Sequence, residues 1–323
     1  MSLLGRREGL PSRTVLIPVV HHPRRTAGSH RFVVVTGLFG LALAGAIAAA
    51  ILLGGRSGHV PAAPPRTPPA PAAPRPRPPR LSAAALLAQA RERGITRLAG
   101  LGVPVFCGAP RGNELALTFD DGPGPYTAKV LAILRRFHAQ ATFFLVGNRI
   151  RFWPSLPAAE ARLGSVGDHT WSHADLAHLT RPAAAAEVER ARTAIAAKTS
   201  TRVRLFRIPY GRAPAWLGRY LAARRMLEIR WSVESRDYLP STTATGIVRR
   251  VAPGLRPGAI VLMHDIHPVT VRALPRLLAL IRARHLRAVS VPELLRADAP
   301  SYPQLMADNR GLGCVNLATA GRE

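Results

Sequence analysis

The chain is poor in acid, cysteine, aromatic side chains and lysine. Asp and Glu number 18 among 323 residues against 45 Lys and Arg, giving a formal net charge of +27. That imbalance favours polyanionic neighbours such as nucleic acid, anionic lipid or acidic wall polymer, and does not choose between them. Lys129 and Lys198 are the only lysines, so a compositional bias toward arginine explains the charge as readily as a partner does. No nucleic-acid-binding motif stands in the context such a motif needs, and no nucleic-acid partner is expected. Two cysteines are too few for a disulfide-stapled scaffold and allow at most one bridge. With 47% hydrophobic and 20% charged residues, the chain can build one sizeable core but not two large domains.

What is present falls into blocks. Residues 1–31 carry Arg6, Arg7, Arg13, Arg24, Arg25 and Arg31, and residues 32–54 then run without a charge. At about 1.5 Å per helical residue that run covers the roughly 30 Å of a bilayer's hydrocarbon, which predicts a transmembrane helix. The arginines before it place the N-terminus inside and the rest of the chain in an extracytoplasmic position at the cell membrane. A cleaved signal with a long basic start, cut near Ala44, Ala46 or Ala48, is the alternative, and it exports the same remainder. Residues 55–80, rich in Pro, Ala and Arg, read as a disordered spacer. Before position 81 eleven Arg face the single acid Glu8, a net +10, which leaves +17 of the +27 for the remainder. The folded part is therefore basic as well.

Residues 81–106 read as a lead-in containing a short helix over 82–93. The main domain is expected over 107–314, with a tail at 315–323. Cys107 and Cys314 bracket that domain, so a bridge between them in an oxidising compartment would tie its ends together; two unpaired thiols are the alternative. Candidate strands lie at 115–119, 141–146, 165–168, 204–207, 228–233, 259–263 and 287–291. Helices are expected near 128–137, 183–198, 214–225, 243–251 and 271–284. This order argues for an α/β fold of parallel strands in a barrel or open sheet, with ligands at the strands' carboxyl ends.

Polar residues cluster at those ends. Asp120 and Asp121 close the first strand, and neighbours on a regular strand point to opposite faces. Both can reach one site only where the strand breaks, which Gly122 and Pro123 are expected to supply. One carboxylate could then hold a metal while the other handles a proton; a solvated acidic turn or a helix N-cap is the plainer reading of the tetrapeptide alone. His169 and His173 have the i, i+4 spacing that sets two imidazoles side by side on a helical turn. Eleven histidines produce roughly 0.4 such spacings by chance, so the pair is weak evidence alone. Arg207 and Tyr210, then Asp237 and Tyr238, then His264 follow later strands. Singly these read as an ion pair, a turn residue and a core histidine; together they suit metal and proton-transfer chemistry.

The segments LTFDDGPGPYT at 117–127, ATFFLVGN at 141–148, GDHTWSHADL at 167–176, FRIPYG at 206–211, WSVESRDY at 231–238 and IVLMHD at 260–265 carry a resemblance. The chain resembles the polysaccharide deacetylases, carbohydrate esterases of family 4 with a NodB homology domain. The resemblance implies a distorted (β/α)7 barrel and a divalent metal, zinc first with cobalt or nickel admissible, held by Asp121, His169 and His173. It implies Asp120 as general base, His264 as general acid, Asp237 orienting His264, Arg207 positioning Asp120, and the Tyr210 N–H facing an oxyanion. Tyr210, Trp171, Tyr238 and Leu262 would touch the polysaccharide; Trp171, Tyr126 and Tyr238 have rings that could stack on sugar faces, with packing at the barrel mouth as the equal alternative. Tyr238 stands where Trp is more usual, and Gly164 with Ser165 replaces a frequent His-Glu pair. The expected activity is N-deacetylation of wall or chitin-like glycan, peptidoglycan preferred, with an O-acetyl esterase or a non-catalytic wall-binding module as the alternatives.

Overall fold

The computed structural model describes residues 82–312 and 314. Among these no helix is long and apolar enough to cross a membrane; the expected span, the basic N-terminus, the spacer and the tail lie outside the described residues.

Eight strands form the sheet: β1 (Glu114–Gly122), β2 (Thr142–Leu145), β3 (Ser165–Asp168), β4 (Leu205–Phe206), β5 (Leu227–Glu228), β6 (Val233–Glu234), β7 (Ile260–His264) and β8 (Arg287–Val289). Every pairing is parallel, in the order β5-β4-β3-β2-β1-β7-β6, with β8 joined to the start of β1. Seven strands thus make a half-barrel, and β8 is a branch. The helices are α1 (Ala83–Ala99), α2 (Thr127–Arg136), α3 (Leu156–Leu163), α4 (Arg181–Thr199), α5 (Leu217–Ala223), α6 (Ala244–Val251), α7 (Pro268–Ala283), α8 (Val291–Ala297) and α9 (Tyr302–Ala307).

The period-two rule of strands decides which side of β1 does what. Leu115, Leu117 and Phe119 point outward and join Val130, Leu131 and Leu134 of α2 and Leu274 and Leu277 of α7 in the largest core cluster. Phe119 also stacks on Phe143 of β2 at 5.4 Å between ring centroids. Each fully buried Leu or Phe contributes roughly 1.5–3 kcal/mol, so this layer carries much of the stability. The alternate residue Ala116 points inward and meets Phe144, Leu205 and Ile260, with Ile95, Leu98 and Ala99 of α1 and Leu294 and Leu295 of α8. Thus α1 and α8 plug the amino-terminal end of the strands. The inward positions nearer the carboxyl end are polar, Thr118 and Asp120, and that end is left for chemistry.

The single strand expected over 228–233 is two, β5 and β6, with Arg230 to Ser232 off the ladder. The carbonyls of Ile229 and Arg230 accept hydrogen bonds from the Arg207 guanidinium, and the Arg230 N–H donates to Val105 O, so no neighbouring strand can use them. The lead-in helix is longer than expected, running to Ala99. Cys107 and Cys314 form the expected bridge, with Cα atoms 6.1 Å apart, and join the segment before β1 to the chain beyond α9.

Candidate active site

The site begins with strand register. In the β1–β7 pair Asp120 stands opposite His264, so a carboxylate and an imidazole share one level of the sheet. The β1–β2 ladder slips between Asp120 and Gly122, and Asp121 is the extra residue, with φ +69°. The bulge is what lets two adjacent carboxylates serve one side. It lies one residue earlier than the break expected at Gly122.

His169 and His173 do come together, but on an irregular loop after β3 and not on a helical turn. Left-handed backbone at Thr170 (φ +68°) and His173 (φ +61°) folds that loop back, and the buried Asp168 carboxylate pins it by accepting the Thr170 N–H at 2.7 Å. The Nδ1 of His169 is bonded to the Arg207 carbonyl at 2.7 Å and that of His173 to the Tyr210 hydroxyl at 3.2 Å. Both Nε2 atoms are thereby turned to Asp121 Oδ1, at 3.5 Å and 3.1 Å. That oxygen is buried and has no hydrogen-bond partner. Ligand atoms from Asp121, His169 and His173 all lie within 4.8 Å of one another. An orphaned carboxylate oxygen facing two imidazole nitrogens is the donor set of a divalent transition ion. Burial pushes His169 down to about 3, against the pull of Asp121, so its ring is neutral and its lone pair free to donate.

Arg207 is fully buried, and all three of its guanidinium nitrogens donate hydrogen bonds. Its Nη1 gives hydrogen bonds to Thr118 Oγ1 at 2.7 Å and Asp120 Oδ1 at 2.8 Å, while Nε and Nη2 reach Ile229 O and Arg230 O. The guanidinium also lies 4.2 Å from the Phe144 ring centroid. Burial raises the Asp120 carboxyl, and Arg207 opposes that. Oδ1 is spoken for, and Oδ2 faces the histidine side, 3.7 Å from His169 Nε2.

On the opposite flank, Asp237 accepts three bonds: the His264 N–H at 2.7 Å, His264 Nδ1 at 2.7 Å and the Thr270 hydroxyl at 2.5 Å. Burial lowers the His264 pKa, but the Asp237 hydrogen bond and charge, with Asp120 and Asp121, outweigh it and raise it to about 9. Nδ1 is held, so Nε2 is the atom available for proton transfer. Tyr238 and His267 flank the ring edge-on at 5.6 Å and 5.8 Å. Leu262, two residues before His264 on β7, is buried on the same inward side.

Tyr210 is exposed at the mouth with φ +59°, its ring 4.8 Å from that of His173. Of the two readings of Trp171, sugar platform or packing, the contacts favour packing. Arg190 covers its face at 4.3 Å, and a Cβ on Gly147 would come within 2.7 Å of the indole, so the ring packs. Three supporting residues escaped sequence reasoning. Thr270 lies outside every segment quoted above, and Thr118 lies inside one, LTFDDGPGPYT, without a role attached to it. Asp265 is buried behind Gly122 and accepts the Thr127 hydroxyl, bracing the turn after Asp121; its place beside His264 was the available signal.

The pattern of the polysaccharide deacetylase family matches residues 108–229. The peptidoglycan-N-acetylglucosamine deacetylase PgdA of Listeria monocytogenes is 31% identical over 194 residues, 59% of this chain and 41% of that one. The chain therefore spans about two fifths of the length of that relative. A chitooligosaccharide deacetylase of Bradyrhizobium is 34% identical over 202 residues, covering 56% of this chain and 90% of the relative. Among solved structures, a CE4 family pseudoenzyme from Bacillus anthracis superposes with a TM-score of 0.57 at 26% identity, over 60% of this chain and 69% of that one. With a relative matched over nine tenths of its length and the site residues gathered at one end of the half-barrel, the chain belongs to the polysaccharide deacetylase family.

Proposed function

We propose that the chain hydrolyses the acetamide of N-acetylated amino sugars in a wall polysaccharide, peptidoglycan first, using a divalent ion held by Asp121, His169 and His173. The observation that carries this reading is the orphaned Asp121 Oδ1 facing two imidazole nitrogens, beside a carboxylate and an imidazole set level by strand register. Zinc suits the donor set best, and cobalt or nickel would also bind.

Bound there, the ion supplies Lewis-acid polarisation of the acetyl carbonyl and lowers the pKa of water. The remaining work belongs to the chain. Asp120 Oδ2 takes the proton of the attacking water, while Arg207 fixes Oδ1 and opposes the rise that burial imposes on the carboxyl. The Tyr210 N–H is the donor for the developing oxyanion in this reading, and a prepositioned donor of that kind is worth several kcal/mol of barrier once bound substrate excludes water. His264, held by Asp237, gives the proton from Nε2 to the departing nitrogen as the C–N bond breaks, leaving acetate and a free amine. Tyr210 and Tyr238, exposed at the mouth, offer ring faces to the sugar.

Asp120→Asn tests this. Acetate release from N-acetylated glycan should fall at least about 100-fold, the scale of a lost general base, with fold and metal content retained. An unchanged rate refutes the assignment. Amide-linked and ester-linked acetyl sugars run side by side separate the N-deacetylase from an O-acetyl esterase using the same groups. We also propose that residues 32–54 anchor the domain outside the cytoplasm. Protease added to intact cells should then release it, and full protection would reject that location.

A further inference from the structure

Parallel topology sorts the charge of this domain. Each helix runs back against the strands, so the helix carboxyl termini and the loops leading into strands gather at the end opposite the active site. That end is cationic on loop after loop. Arg135 and Arg136 close α2, Lys198 closes α4 with Arg202 following, Arg225 precedes β5, and Arg282 closes α7 with Arg284 and Arg287 following. All are exposed.

Acids near that end are already engaged: Glu92 with Arg204, Glu114 with Arg287, Glu293 with Arg91 and Arg296, and Asp298 with Arg111. Among the described residues, no ion pair occupies Arg135, Arg136, Lys198, Arg202, Arg225 or Arg282. Cations favour helix carboxyl termini by a few tenths of a kcal/mol through the helix dipole, which accounts for single positions. The complementary signal is missing, because among the described helices α1 to α9 only α8 carries an acid in its first turn. Dipole matching alone would fill both ends.

We propose that this closed end of the half-barrel docks a linear phosphodiester polymer that carries no nucleobases, a polyol phosphate. The cations are spread over several loops and not focused on one point, which suits a chain of repeated charges better than a small anion. Guanidinium, which makes up nearly all of the charge, pairs phosphate oxygens two at a time. The face lies opposite the mouth, so the polymer and the glycan substrate can be held together without competing.

The test uses the full chain in non-ionic detergent and soluble poly(glycerol phosphate) as probe. Binding should weaken at least about tenfold in the triple variant Arg135→Gln, Arg136→Gln, Arg282→Gln. The log–log salt slope should become shallower by about one for each phosphate that is no longer neutralised, up to three. Acetate release from a short neutral N-acetylated oligosaccharide and the melting temperature should stay at the parent values. A matched triple at the other end and flank, Arg151→Gln, Arg236→Gln, Arg272→Gln, should bind as the parent does. Equal weakening in the two triples would reduce the effect to net charge and overturn the proposal. Stronger binding to anionic lipid vesicles or to DNA than to the polymer would overturn it too. If the first triple fails to fold, Arg282→Gln alone, which must still weaken binding, takes its place.

Discussion

Asp237→Asn isolates the part of the site that sets the general acid. The substitution keeps size, removes a charge, and leaves one oxygen where three donors now converge: the His264 N–H, His264 Nδ1 and the Thr270 hydroxyl. His264 is raised from 6.5 to about 9 because Asp237, with Asp120 and Asp121, overcomes burial. A histidine whose folded pKa is raised stabilises the fold fully below about 6.5 and loses that stabilisation as pH rises through about 9. At about 1.4 kcal/mol for each tenfold change in proton affinity, the rise from 6.5 to about 9 amounts to roughly 3 kcal/mol, and the side chain is only 12% exposed, so little is lost to solvent screening. A divalent ion beside Asp121 subtracts from the rise, and the metal-loaded enzyme should titrate somewhat lower. The alkaline limb of kcat/KM, read by acetate release, should move down by at least about one unit in Asp237→Asn, and the fall in urea stability between neutral and alkaline pH should shrink with it. An alkaline limb superposed on the parent's would refute the reasoning, because His264 would then owe its charge to something other than Asp237.

Removal of divalent ions with a chelator should abolish acetate release and leave the melting temperature only slightly lower, since Arg207 and Tyr210 also hold the two imidazoles; zinc, cobalt or nickel should restore activity, and full activity in the chelated protein would reject the metal assignment. Arg207→Met strands Asp120, 3% exposed, without its partner, and should cost roughly 3–5 kcal/mol in chemical denaturation; a loss under about 1 kcal/mol would mean that the pair is not a buried one.

Much of the fold was legible in the sequence because parallel strands buried on both faces leave continuous apolar runs. The segment at 165–168 is bounded as the structure has it, and β1, β2 and β7 differ from expectation only at their ends. What failed was decided by distant residues. Nothing in residues 228–233 announces that Arg207 will take two of their carbonyls and split one strand into β5 and β6. The helix α3 was not expected; its sequence, LPAAEARL, is short and buries Glu160, whose carboxyl is pushed well above the usual carboxylate range by that burial. At the site, residue types and order were readable, and geometry was not. The four-residue spacing of His169 and His173 suggests a helical turn, yet left-handed backbone at Thr170 does the folding. Trp171 has the chemistry of a sugar platform, but Arg190 covers it. The bridge between Cys107 and Cys314 followed from position alone.

Asp121, Thr170, His173 and Tyr210 share a trait that bears on engineering: each non-glycine residue sits at positive φ. Such conformers are disfavoured by about 1–3 kcal/mol apiece and persist only where surroundings enforce them. A library selected for heat tolerance alone would be drawn to glycine at these positions, trading a ligand or a mouth residue for relief. Robust variants are better sought in the outward layer around Leu117 and Phe119, which the substrate never meets.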